Sequence, residues 1–186
     1  AGGGICEGNA GPGFRRHVAP SEGTPRDVAG PVIDMLFPAG QPSRIPIAAV
    51  TGTNGKSTTT SLLGHILSRA GRDVQMGANL GRPVLDFDVL GADGAYVLEL
   101  SSYQIDLTTG LRPQVAALLN ISPDHLDRHG GMEGYITAKR RLLEMACPNA
   151  TLVMGSDDEW SAGMCQEMRA AGRKVVEISV AGAVAE

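Results

Sequence analysis

The chain has 186 residues, 42% of them hydrophobic, with 16 Lys and Arg against 20 Asp and Glu for a formal net charge of −4. This is enough for one substantial core in an ordinary soluble globular protein, and the dispersed basic residues offer no face to nucleic acid or anionic lipid. No apolar run approaches membrane-spanning length and no export signal opens the chain. Cys6, Cys147 and Cys165 are too few and too scattered for a disulfide framework or a zinc knuckle, so a cytoplasmic location is expected.

Residues 1–44 are rich in Gly and Pro with little periodicity, which predicts a loop-rich segment or linker with one short element at Val32–Phe37. The pattern then changes. Ile45–Val50 reads as a buried strand and Ser57–Ala70 as a helix with Leu62, Leu63, Ile66, Leu67 and Ala70 on one face. Between them lies Thr51-Gly52-Thr53-Asn54-Gly55-Lys56-Ser57, a glycine-rich turn whose N–H groups and following helix N-terminus suit a phosphate. Lys56 can reach terminal phosphates and a hydroxyl can ligate Mg²⁺. The spacing is shorter than the usual phosphate loop, which would want its first glycine at Val50.

Asp73–Met76 predicts a strand running into the turn Gly77-Ala78-Asn79-Leu80-Gly81. The apolar run from Ala95 then delivers Glu99, followed by Ser101 and Ser102. In an open parallel sheet ligands bind beyond the strands' carboxyl ends, so Glu99 should arrive beside the Lys56 loop as a metal carboxylate. A strand over Val115–Leu119 leads into Asn120-Ile121-Ser122-Pro123-Asp124-His125-Leu126-Asp127-Arg128-His129, again on the ligand side. His17, His65 and His129 are expected to be structural or exposed.

A helix follows, with Tyr135, Ala138, Leu142 and Met145 on one side, Lys139 beside that face, and Arg140 and Arg141 solvated. Thr151–Met154, a helix capped near Ser156-Asp157-Asp158 and running to Ala171, and Val175–Ile178 complete the alternation. The expected fold is α/β: a parallel sheet with helices on both faces.

The short loop, Glu99-Leu100-Ser101-Ser102-Tyr103-Gln104, Asp124-His125-Leu126-Asp127-Arg128 and Tyr135-Ile136-Thr137-Ala138-Lys139 together resemble the Mur ligases, in particular their D-glutamate-adding branch. The resemblance implies that residues 45–186 form an incomplete central ATP-binding domain, with further ligase domains expected. It assigns ATP to Gly52, Thr53, Asn54, Gly55, Lys56, Ser57 and Thr58, and one Mg²⁺ to Ser57, Thr58 and Glu99. A second Mg²⁺ falls to His125 and a carbamylated Lys139, and substrate to Asn79, Ser101 and Gln104. Lys56, His125 and Lys139 would be catalytic. The implied reaction passes through an acyl phosphate, adding D-glutamate to UDP-N-acetylmuramoyl-L-alanine for peptidoglycan.

Ile5-Cys6-Glu7-Gly8-Asn9, with Val32–Pro38, resembles instead the end of the ATP-grasp domain of cyanophycin synthetases and its linker. Glu7 and Asn9 match that family's Mg²⁺ pair, Gly8 departs from its β-branched residue, and a remnant without chemistry is expected. The two resemblances imply a chimeric chain. Two further expectations stand beside the first: a cyanophycin-synthetase-like ligase, and a nucleotide-binding fragment without turnover.

Overall fold

The structure, a computed structural model, describes residues 45–91 and 93–181. The expectations for Glu7, Asn9, His17 and Val32–Phe37 fall outside the described residues.

The apolar run Ile47–Thr51 forms strand β1, paired on both edges, and its side chains are almost wholly buried because helices contact it from both faces of the sheet. In chain order there follow α1 (Lys56–Arg69), β2 (Asp73–Ala78), a 3₁₀ turn (Val84–Asp86), β3 (Gly94–Glu99), α2 (Ser102–Leu107), β4 (Val115–Leu118), α3 (Leu126–His129), α4 (Met132–Met145), β5 (Thr151–Gly155), α5 (Glu159–Ala170) and β6 (Lys174–Ile178). All strand pairs are parallel, in the order β2-β3-β1-β4-β5-β6. The core is continuous across β1, β3, β4 and β5, and every residue of β3 is buried.

The order reverses at β1. The chain steps outward past β3 to β2, returns, and then crosses β1 to β4, which makes the carboxyl edge of β1 a topological switch point. With right-handed crossovers, α1 falls on one face of the sheet and α2, α4 and α5 on the other, as expected of a doubly covered parallel sheet. The register aligns the strand ends: Val50 lies opposite Glu99, Glu99 opposite Ala78, and Thr51 opposite Leu118. Four strands therefore release their loops at one level.

Helix α1 sits differently from the sequence expectation. Its inward face is centred on Thr60, Leu63, Gly64 and Leu67, whereas Leu62 and Ile66 are 57% and 53% exposed and Ala70 is also outside. The reason is close approach: a Cβ at Gly64 would stand 2.8 Å from the Met76 sulfur, so α1 comes nearest to the sheet at Gly64. Helices α2 and α3 are additions to the elements expected from the sequence. The Ser101-x-x-Gln104 spacing that starts α2 is nonetheless a capping-box signature. Asp158 caps α5, accepting from Ser161 N–H at 2.8 Å, and its second oxygen accepts from Ile121 N–H at 2.9 Å, tying α5 to the loop after β4. Among the described residues no helix is long and apolar enough to cross a membrane.

Candidate nucleotide-binding site

The loop after β1 begins at Gly52, where an added Cβ would meet the Leu119 side chain at 3.1 Å, and ends at Gly55, the N-cap of α1, whose φ of +80° favours glycine. The first α1 hydrogen bond runs from Thr59 N–H to Gly55 carbonyl, so the N–H groups of residues 55–58 have no intrahelical partner. Ser57 and Thr58 are exposed in this first turn. Lys56 folds back over the loop and donates to the Thr53 carbonyl at 2.8 Å.

Thr53 and Asn54 are held by protein. Thr53 N–H donates to the Asn120 carbonyl at 3.0 Å and Asn54 N–H to Asn120 Oδ1 at 2.8 Å, while Asn120 Nδ2 donates back to the Asn54 carbonyl at 3.1 Å. The Thr53 hydroxyl donates to the Ser122 carbonyl at 3.1 Å and accepts from Ser122 N–H at 2.9 Å. Because its one proton serves Ser122, the Tyr135 phenol 3.0 Å away is the donor in that contact.

Glu99, 2% exposed, ends β3 beside this loop. Its Oε1 accepts from Asn79 Nδ2 at 2.9 Å, and its backbone carbonyl from Asn79 N–H at 3.0 Å. Its Oε2 is buried without a hydrogen-bond partner. A buried carboxylate oxygen left unpaired costs of order 1–3 kcal/mol or more, which fits a position that a cation completes. Asn79 itself is exposed and follows Ala78, whose φ of +82° is rare for a residue with a Cβ.

Lys139 lies deeper than its place beside the helix's apolar face predicts, at 1% exposure. Its Nζ donates to the Gly52 carbonyl at 2.8 Å and to Thr51 Oγ1 at 3.4 Å, and stands 4.7 Å from the centroid of the Tyr135 ring. Burial pushes its pKa down to about 7, helped by the charge of Lys56 and opposed by Asp124. Tyr135 and Lys139, one turn apart on α4, thus both grip residues 51–53.

His125 stands at the N-cap of α3 with φ +52°, half-exposed, its Nε2 3.4 Å from Asp124 Oδ2 and its ring edge-on to Tyr103 at 5.1 Å. His129 has the structural role expected: its Nε2 lies 3.0 Å from Ser102 Oγ, its ring contacts Tyr103 and Tyr135, and burial with the Arg128 charge lowers its pKa. Ser101 and Gln104 engage each other. Gln104 N–H donates to Ser101 Oγ at 3.3 Å, and Ser101 N–H and Oγ donate to Gln104 Oε1 at 3.0 and 3.1 Å. Any substrate contact from Gln104 therefore falls to its Nε2.

Among the described residues no three His, Cys, Asp or Glu side chains form a ready metal cluster. Glu99 and His125 are single donors, which suits Mg²⁺ held by one or two protein groups together with ligand phosphate oxygens. The contributions of Thr51, Asn120, Ser122 and Tyr135 to the loop were missed in the sequence. Only the polar cluster ending β4 signalled any of them.

A parallel sheet with a switch point at β1, a glycine-bounded loop opening a helix, and a buried carboxylate on the adjacent strand define a phosphate-loop nucleotide-binding domain. A family model described as the Mur ligase middle domain matches residues 50–186. The chain belongs to the Mur ligase family.

It is 54% identical over 130 residues to the UDP-N-acetylmuramoylalanine–D-glutamate ligase of Caulobacter sp. (strain K31), covering 70% of this chain and 28% of that protein. The enzyme of the same name from Paramagnetospirillum magneticum is 54% identical over 138 residues, covering 74% of this chain and 30% of that protein. The chain thus spans less than a third of the length of these relatives. Among solved structures, a UDP-N-acetylmuramoyl-L-alanyl-D-glutamate–2,6-diaminopimelate ligase aligns with a TM-score of 0.62 at 26% identity, over 76% of this chain and 33% of that one. MurF ligase of Thermotoga maritima, solved in complex with ADP, shares the fold with a TM-score of 0.57 at 23% identity, over 74% of this chain and 33% of that one.

Proposed function

We propose that residues 45–186 are the ATP-binding part of a cytoplasmic ligase that joins D-glutamate to UDP-N-acetylmuramoyl-L-alanine through an acyl phosphate. The buried, half-satisfied Glu99 at the switch point beside the Lys56 loop carries this reading. The identity to relatives of that name supports the choice of substrates.

In this reading the N–H groups opening α1 hold the nucleotide's phosphates, and Lys56 leaves the Thr53 carbonyl to balance charge gathering on the transferred phosphoryl. Ser57, Thr58 and Glu99 would hold one Mg²⁺ and His125 with Lys139 a second. Bound there, the ions would neutralise phosphate charge and hold oxygens in line. Burial lowers the Lys139 pKa to about 7, so the neutral amine is populated near neutral pH. The neutral amine can add to CO₂, forming an N–C bond and releasing a proton, so that a buried cation becomes a carbamate anion. The carbamate nitrogen keeps one hydrogen, which the Gly52 carbonyl can retain. Asn79 and Gln104 Nε2 stand at the same edge for the substrate.

The experiment is calorimetry of Mg-ATP binding by parent and Lys56→Ala proteins. Losing a charge-assisted hydrogen bond should cost roughly 1.5–3 kcal/mol, a 10- to 150-fold weaker Kd. Equal affinities would remove the loop from the site. In the full-length protein, phosphate release dependent on both UDP-N-acetylmuramoyl-L-alanine and D-glutamate is expected, and release with aspartate or arginine substrates instead would refute the substrate assignment.

A further inference from the structure

Asn120 lies just beyond β4, where Leu119 N–H still pairs with the Thr51 carbonyl. From there it engages the phosphate loop at three points. Its carbonyl takes Thr53 N–H, and its side-chain amide pairs with both main-chain polar groups of Asn54, accepting at 2.8 Å and donating at 3.1 Å. An amide on a short stem offers a donor and an acceptor side by side, and so can mimic a neighbouring peptide group. Two residues later Ser122 closes both its main-chain groups on the Thr53 hydroxyl.

The consequence concerns which donors face a phosphate. A glycine-rich loop binds anions by turning successive N–H groups into one concavity. Here the N–H groups of Thr53 and Asn54 are turned to β4, and those of residues 55–58 are the ones without an intrahelical partner. We infer that Asn120 is a positioning residue that fixes this division: it withholds the donors of Thr53 and Asn54 from the nucleotide, assigns phosphate binding to the N–H groups of Gly55, Lys56, Ser57 and Thr58, and fastens the loop to the segment carrying His125. The inference rests on the nucleotide-binding reading above and specifies which atoms perform it.

The test follows loop amides by NMR in the ¹⁵N-labelled full chain, titrated with Mg-ATP at a temperature where parent and variants are folded. In the parent, the amides of residues 55–58 should move strongly and those of Thr53 and Asn54 should not. In Asn120→Ala, hydrogen exchange at the Asn54 amide should speed up at least 10-fold while the sheet amides keep parent rates. Mg-ATP should bind that variant roughly 2- to 10-fold more weakly, because the loop's order must then be supplied on binding.

Two variants separate the clasp from a general loss of folding. Asn54→Ala removes a side chain the clasp does not use, and residue 54 should keep its amide protection. Asn120→Asp retains an acceptor for Asn54 N–H, and that amide should stay protected even if Asn120→Ala folds poorly. If Mg-ATP shifts no loop amide, the nucleotide-binding reading fails and takes this inference with it. If it shifts Thr53 and Asn54 along with residues 55–58, or if Asn120→Ala binds with parent affinity, nucleotide binding stands and the role given to Asn120 is overturned.

Discussion

Replacing Lys139 with Met keeps the length and most of the volume of the side chain while removing its charge, and so isolates the cost of burying an amine. In the folded chain the group titrates near 7 because it is buried, whereas in the unfolded chain it titrates near 10.5. A lysine whose pKa is depressed by folding destabilises the fold most at low pH, where both states carry the proton. Between pH 7 and 10.5 the unfolded state binds more protons, so stability rises with pH. Integrating that difference from pH 7 to 8.5 gives a gain on the order of 2 kcal/mol for the parent.

His129, with its lowered pKa, acts below this window, and Cys165, whose thiol burial pushes upward, acts above it. Urea unfolding of parent and Lys139→Met in CO₂-free buffer across pH 7–8.5 should show stability rising for the parent alone. Met also loses the donors to the Gly52 carbonyl and Thr51 Oγ1, which offsets its whole curve but not its slope. Parallel curves would refute the depressed pKa, and with it the neutral amine required for carbamate formation.

Ala78→Gly should stabilise the fold by about 1 kcal/mol in denaturant melts, since φ +82° strains a residue with a Cβ and glycine is free of that strain. Glu99→Gln should leave the circular dichroism of the fold unchanged, because the amide oxygen can still accept from Asn79, yet weaken Mg-ATP binding roughly 10- to 100-fold by calorimetry. Gly155→Ala should destabilise by about 1–3 kcal/mol or more, because its Cβ would stand 2.0 Å from the Leu119 carbonyl oxygen, a backbone atom with little room to yield; thermal melts would show it.

The elements most legible in the sequence are those specified by neighbours along the chain. The apolar run of β1, the glycines around Lys56 and the helix that follows are set by residues within a few positions, and Glu99 is legible because a parallel strand delivers its last side chain to the ligand edge. The face of α1 differs from the expectation because periodicity marks a wide apolar stripe without saying which half meets the sheet; the small residue Gly64 decides that. Periodicity sets Lys139 beside an apolar face, but its full burial depends on α4 packing across the end of β1. For Asn120 the sequence marks only its place in the polar cluster after β4, since its partner is the main chain of Asn54, 66 residues away, and a main-chain contact leaves no mark on the partner's residue type.

Strain points to the same edge independently of any motif. Among the described residues Ala78 and His125 are the two non-glycine residues with positive φ, and each serves the candidate site: Ala78 turns Asn79 onto Glu99, and His125 is itself a candidate ligand. Such conformations cost of order 1–2 kcal/mol each and persist only where surrounding structure over-determines them. Around Ala78 the restraint is visible. Ala78 N–H donates to the Arg82 carbonyl at 2.9 Å, the Arg82 guanidinium is held by Gln75 Oε1 at 2.8 Å and by the Asp86 carbonyl, and it lies over Phe87, which stacks in turn on Tyr96 of β3. His125 is fixed by Arg128 and His129 N–H groups closing on its carbonyl and by the Tyr103 ring. Around Ala78 the restraint runs back through Arg82 and Phe87 to β3, and around His125 it comes from its own helical turn and the adjoining Tyr103 ring. With net stability of order 5–15 kcal/mol for a whole domain, two such positions absorb a sizeable share, and what they secure is the placement of side chains at the strand ends that a nucleotide would meet.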